Sequence, residues 1–340
     1  MNIKSICIIT AVFLLGILLG AKVVSKSLSK NESTAFTNGL GVAYLTQDNL
    51  KYQFIKPLLD VSYVSQEDSL KQFPLLASIK KEVESEIGKH PDVKVGFYFN
   101  DLNNAGWFGV NEDEKFIPAS LLKLPMLISY YKLRETETDL FDKTILIKGS
   151  DLNPNRNVAE NSPIVPEKMY TVRELLNAMI VDSDNNALDV LYQYKKDSLR
   201  DIFSDLKAPL PDNKKDIALT DFLSPKDMSK FYLVLYNASY LTKKDSEEAL
   251  RLLSEVKYQS GLVAGVPREV TVSHKYGERE VTIGNGTVAN EFHDCGIIYY
   301  TKSPYKICIM TKGEGLTKEK SSQIISSLSK IVYQGVATGK

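Results

Sequence analysis

Strand-period sequence stands on both sides of a long helical block in this chain, and that order limits the folds open to it. Val93, Val95, Phe97 and Phe99 alternate with Lys94, Gly96, Tyr98 and Asn100, the spacing that lines one face of a strand. The turn "NDLNNAG" leads to a second short strand, "WFGV". Ahead of them, Leu76, Ile79, Val83 and Ile87 recur at helical spacing. From about Thr171 to Val256 the pattern is helical, in "TVRELLNAMI", "NNALDVLYQY", "SPKDMSKFYLVLYN" and "TKKDSEEALRLLSEV". Each opens on or follows a Ser, Thr or Asp suited to capping. The final third returns to strands in "REVTVSHKYG", "EVTIGNGTV", "CGIIYY" and "YKICIMT", then closes on the helix "TKEKSSQIISSLSKIVYQGV". This order predicts an α+β protein: one antiparallel sheet assembled from both ends, flanked by helices, with an all-helical subdomain inserted.

The 340 residues, 43% hydrophobic and 25% charged, suffice for a large core. Lys plus Arg and Asp plus Glu both total 42, and no long basic run marks a phosphate-binding stripe, so no nucleic-acid partner is expected. The amino end differs from the rest. Between Lys4 and Lys22, "SICIITAVFLLGILLGA" is apolar without periodicity, so residues 1–25 are expected to be a membrane anchor or signal segment. Ser27 and Ser29 are the best small residues for cleavage, and an uncleaved anchor is the favoured reading. The lysines do not support export on their own, because Lys22, Lys26 and Lys30 follow the segment and only Lys4 precedes it. Residues 26–73 are polar and broken, a tether and entry segment, and 74–340 form the remaining domain. Cys7 lies in the apolar segment, while Cys295 and Cys308 sit in strand-like runs without framework spacing. Neither a structural disulfide nor a metal site is expected.

The chemistry begins in "FIPASLLKLPMLISYYKLRE", where Ser120 and Lys123 stand at the head of an apolar helix. Pro118 suits the first turn of that helix, and Pro125, further in, is expected to kink or tighten it. A serine hydroxyl needs a neighbouring base to become a nucleophile, and a lysine three residues on lies on the same helix face. Desolvation there lets the amine lose its proton at physiological pH. The same spacing occurs elsewhere, as at Ser78 and Lys81, so context must decide. Downstream, Ser183, Asp184 and Asn185 fall between two helices, and Lys275, Tyr276 and Gly277 lie in a strand.

The three groups in this order resemble the penicillin-recognising serine hydrolases, most closely class A beta-lactamases and beta-lactamase-like peptidases, whose signature is Ser-x-x-Lys, Ser-Asp-Asn and Lys-Thr-Gly. The similarity runs from about Leu75 to Val336. It implies a five-stranded antiparallel sheet and a site in which Ser120 is the nucleophile and Lys123 its base. Ser183 would relay a proton to the leaving nitrogen, and Asn185 would hold a substrate amide. Lys275, Tyr276 and Gly277 would line the place of the substrate carboxylate, and the N–H groups of Ser120 and Glu278 would form the oxyanion hole. No cofactor or metal is implied. The expected substrate is a beta-lactam or a D-alanyl-D-alanine peptide, handled by a monomer on the extracytoplasmic face of the membrane, or by a secreted form after cleavage. His90, His274 and His293 lack a nucleophile-elbow context and are read as structural.

Two departures bear on function. Tyr276 replaces the family's threonine and removes a small hydroxyl from the carboxylate site. No glutamate occurs from Leu175 to Ser246, where class A enzymes place the residue that activates the deacylating water. Asp212, Asp216 and Asp221 in the "LKAPLPDNKKDIALTDF" stretch are the candidate replacements. Three readings follow: a beta-lactamase, a D-alanyl-D-alanine peptidase, or a sensor that acylates and stalls.

Overall fold

The strands from the two sides of the helical block meet in one five-stranded antiparallel sheet. The computed structural model describes residues 52–56, 64–152, 162–211, 220–282, 288–301 and 303–339. Helices α1 (Gln66–Gln72) and α2 (Pro74–Gly88) lead into β1 (Lys94–Asp101) and β2 (Trp107–Val110). A 3-10 turn over Ala119–Leu122 runs into α3 (Lys123–Arg134). Next come β3 (Thr144–Ile147) and β4 (Lys168–Thr171), then α4 (Val172–Val181), α5 (Asn185–Tyr194), α6 (Ser198–Asp205), α7 (Pro225–Tyr236) and α8 (Lys243–Ser254). The chain ends with β5 (Val272–Thr282), β6 (Val288–Ile298), β7 (Tyr305–Glu314) and α9 (Lys318–Thr338). The sheet order is β2-β1-β7-β6-β5, and β3 pairs with β4 in a small ribbon beside the helices.

Side-chain caps start the helices as the sequence suggests. Thr171 forms a reciprocal capping box with Glu174, and Asp184, Ser224, Thr242 and Thr317 each accept a backbone N–H at the head of a helix. The expectation for Pro125 resolves through the 3-10 turn. Because α3 proper begins only at Lys123, Pro125 falls in its first turn, where a missing N–H costs nothing. The final third holds three strands rather than four separate runs, since β5 continues through Gly277 and β6 absorbs "CGII".

Both faces of the sheet are covered. Phe97, Phe99, Phe292, Ile307 and Ile309 pack against Leu76 and Ile79 of α2 and Ile325 and Leu328 of α9. On the other face Cys295, Ile297, Cys308 and Met310 join the core of the helical block, which includes Phe231, Tyr232 and Leu235 of α7. Tyr98 and Asn100, polar-side residues of the β1 alternation, are therefore buried too.

Cys295 and Cys308 correct the expectation of no disulfide: they are bonded to each other. Their spacing carries no framework pattern because the bond depends on strand register, which sets them directly opposite on β6 and β7 with Cα atoms 4.0 Å apart. The apolar segment within residues 1–25 and most of the expected tether lie outside the described residues. Among the described residues no helix is long and apolar enough to cross a membrane.

Candidate active site

Ser120 is half-buried in the 3-10 turn, one turn ahead of Lys123. Ala119 enters that turn with φ of 49°, a left-handed value that costs a residue with a Cβ about 1–3 kcal/mol. Surrounding contacts must therefore hold the turn. One is steric: a Cβ on Gly277 of β5 would lie 2.9 Å from Pro118 O, 3.1 Å from Leu121 N and 3.2 Å from Ser120 N. Only glycine lets the strand pass this close, so a residue that looks like a strand breaker is what brings β5 to the serine.

Lys123 is fully buried. Its Nζ donates to Ser183 O at 2.5 Å, Ser183 Oγ at 3.1 Å and Asn185 Oδ1 at 2.7 Å. Lys275 is also fully buried, and its Nζ donates to the same Ser183 Oγ at 2.8 Å and to Tyr276 O at 2.9 Å. Ser183 reaches between them because it takes φ of 55° in the corner that separates α4 from α5. One hydroxyl thus links two amines, and both its lone pairs are engaged.

Burial, then the neighbouring Lys123 charge, pushes the Lys275 amine well below its ordinary range, with Asp294 pulling weakly the other way. Two ammonium groups on one oxygen in a dry site repel, and loss of one proton relieves them. The geometry thus sets two buried amines on one hydroxyl, and burial with the nearby Lys123 charge favours the neutral form of Lys275.

Tyr276 covers the Lys275 amine. Its ring stacks on Tyr258 with centroids 4.4 Å apart, and Lys275 Nζ lies 4.1 Å from its centre. Burial raises the Tyr276 phenol, while a bond with Ser183 acts against the rise. Where the resemblance implies a small threonine hydroxyl, this chain has an aromatic lid over Lys275. Glu278 follows Gly277 and directs its side chain away, to Lys318 Nζ at 2.7 Å.

Of the three deacylation candidates, the described one is paired elsewhere. Asp221 is exposed, and both its carboxylate oxygens accept from Lys312 Nζ, at 3.0 and 2.8 Å. Asp212 and Asp216 lie outside the described residues. His274 Nδ1 meets Asp294 Oδ1 at 2.8 Å, and His293 Nε2 meets Ile117 O at 2.9 Å, so these two serve the sheet and its neighbouring backbone. Buried Glu291, beside His293, was not singled out from the sequence. Its signal is a carboxylate at the core-facing period of "NEFHDC".

A model of the beta-lactamase enzyme family matches residues 78–336. The chain belongs to the beta-lactamase enzyme family. Solved structures of the same fold include TLA-3 extended-spectrum beta-lactamase, at 20% identity and a TM-score of 0.69, covering 76% of this chain and 98% of that one. PBP-A is 20% identical with a TM-score of 0.66, covering 77% of this chain and 97% of its own. A class A beta-lactamase from Bacteroides cellulosilyticus is 18% identical with a TM-score of 0.66, covering 81% and 100%. No curated protein matches. At these identities the structures speak for the shared fold, and this beta-lactamase-family chain carries its own version of the site.

Proposed function

We propose that the chain is a serine hydrolase that opens beta-lactam amides through an acyl-enzyme on Ser120 and releases the product slowly. The carrying observation is Ser183 Oγ, 3.1 Å from the Lys123 amine and 2.8 Å from that of Lys275, next to the serine turn. The neutral member of the lysine pair takes the Ser120 proton as Oγ attacks the carbonyl carbon. The N–H groups of Ser120 and Glu278 stabilise the oxyanion. The C–N bond then breaks, the leaving nitrogen takes the Ser183 hydroxyl proton, and the lysine pair returns one to Ser183. Water completes hydrolysis and restores Ser120. An acyl-enzyme with penicillin G is described for a PBP-A variant of the same fold, which supports the choice of substrate.

The absence of glutamate from Leu175 to Ser246, and the ion-paired state of Asp221, favour a second reading in which the acyl-enzyme stalls and the protein acts as a sensor. A D-alanyl-D-alanine peptidase is the third outcome. The Cys295–Cys308 disulfide supports an oxidising compartment, and with the apolar amino-terminal segment it supports action at the extracytoplasmic face.

Labelled penicillin, intact mass and peptide mapping test the proposal, with a label expected on Ser120. Kinetics with nitrocefin should show a stoichiometric burst and then a slow steady state. A label on another serine, or no adduct with any beta-lactam or activated ester, overturns the assignment. Release of D-alanine from a peptide in place of beta-lactam turnover favours the peptidase.

A further inference from the structure

The backbone just ahead of the nucleophile is gripped by two buried side chains of β6. Ile117 donates its N–H to Glu291 Oε2 at 2.8 Å, and its carbonyl accepts from His293 Nε2 at 2.9 Å. Glu291 and His293 stand two apart, so they share a face of the strand, and both are fully buried. Burying a carboxylate and an imidazole is costly, and apolar packing alone would not require it. The carbonyl can only accept, so His293 carries its proton on Nε2.

The grip extends to a second segment. Glu291 Oε1 lies 2.8 Å from Lys312 Nζ, which also holds both oxygens of Asp221. The two residues after Asp221 return to the turn: Phe222 N–H donates to Phe116 O, and Phe116 N–H donates to Leu223 O, both at 3.1 Å. The contacts form a closed ring from Ile117 through Glu291, Lys312 and Asp221 to Phe116. Burial raises the Glu291 carboxyl, but His293 and Lys312 outweigh it and hold the group below its ordinary range. Glu291 is therefore charged at neutral pH.

We propose that Glu291 and His293 are positioning residues that set the Ser120 turn against β5, and that Lys312 and Asp221 tie this setting to the segment after α6. The proposal rests on the reading of Ser120 as nucleophile. Gly277 leaves the turn no slack toward β5, so a shift at Ile117 moves Ser120 relative to Ser183. A displacement on the order of 1 Å costs about a hundredfold in rate.

His293→Phe tests this, since it keeps a ring edge-on to Phe116, now 5.5 Å between centroids, and removes the donor. The acylation rate constant should fall roughly ten- to a hundredfold while the noncovalent dissociation constant stays level. His293→Gln, with an amide N–H that reaches the same carbonyl, should recover most of the loss. Wild-type acylation in the Phe variant, or no advantage of Gln over Phe, overturns the proposal. Should His293→Phe fail to fold, Glu291→Met, which removes the acceptor for the Ile117 N–H, must show the same split of rate from binding. If the wild-type protein forms no adduct on Ser120, the nucleophile reading fails separately. Amide hydrogen exchange over residues 116–122 then decides the clamp: faster exchange in His293→Phe than in wild type and His293→Gln sustains it, and equal exchange refutes it.

Discussion

Against α2 and α9 the central sheet buries Phe97, Phe99, Phe292, Ile307 and Ile309, whereas against the helical block it buries Lys275, Glu291, His293 and Lys306 beside Cys295, Cys308 and Met310. The first face follows hydrophobic patterning, and its buried His274 and Asp294 bond each other, with Asp294 also accepting from Leu262 N–H at 2.9 Å. The second face places charge where apolar residues would be more stabilising. The difference teaches that one face is packed by apolar side chains around a single buried polar pair, while the other combines a larger apolar core with buried charge, where burial lowers the Lys275 and Lys306 amines.

Three substitutions can break or refine that contrast. Phe99→Ala should cost about 3–5 kcal/mol of stability by opening a cavity on the apolar face, measured by urea unfolding, with acylation per folded molecule unchanged. A loss of acylation in proportion would mean that the faces are not separate. Gly277→Ala should lower acylation about a hundredfold, because its Cβ meets the backbone of the serine turn and displaces it, with a small change in melting temperature. Unaltered acylation would remove the close approach of β5 from the account.

The smallest effect is expected at Lys306, which lies with its amine 5.4 Å from the Tyr98 ring centre. Burial, then the charge of Lys230, lowers its pKa from 10.5 to about 7. Since the folded value is below the unfolded one, the folded state binds fewer protons between about 7 and 10.5. This group's contribution to stability therefore rises with pH across that window, and its full penalty is present below it. Lys306→Met should gain on the order of 2 kcal/mol at pH 6 and flatten the dependence above pH 7. Urea midpoints at several pH values check it, and no gain at pH 6 would contradict the cost assigned to this amine.

Much of the frame was legible in local sequence. Period-two runs, capped helical runs and their order along the chain specify the sheet and the inserted helices, because side-chain direction repeats every two residues in a strand and every 3.6 in a helix. Ser120, Ser183 and Lys275 were legible as candidates because their order and flanks are characteristic together. The convergence of both lysines on one Ser183 hydroxyl was not, since it depends on the left-handed corner at Ser183 and on how closely β5 approaches.

The sequence by itself determined most of the strands and helices, though not α1, α6 or the β3–β4 ribbon, and which residue types could carry acyl transfer, since these follow from propensity, periodicity and the chemistry of side chains. Tertiary structure alone decided that Cys295 faces Cys308, that Glu291 and His293 hold Ile117, and that Tyr276 lies over Lys275. Each of these depends on strand register or on packing between segments far apart in the chain. A shift of one residue turns a strand side chain to the opposite face, and no local pattern records the partner it will meet there.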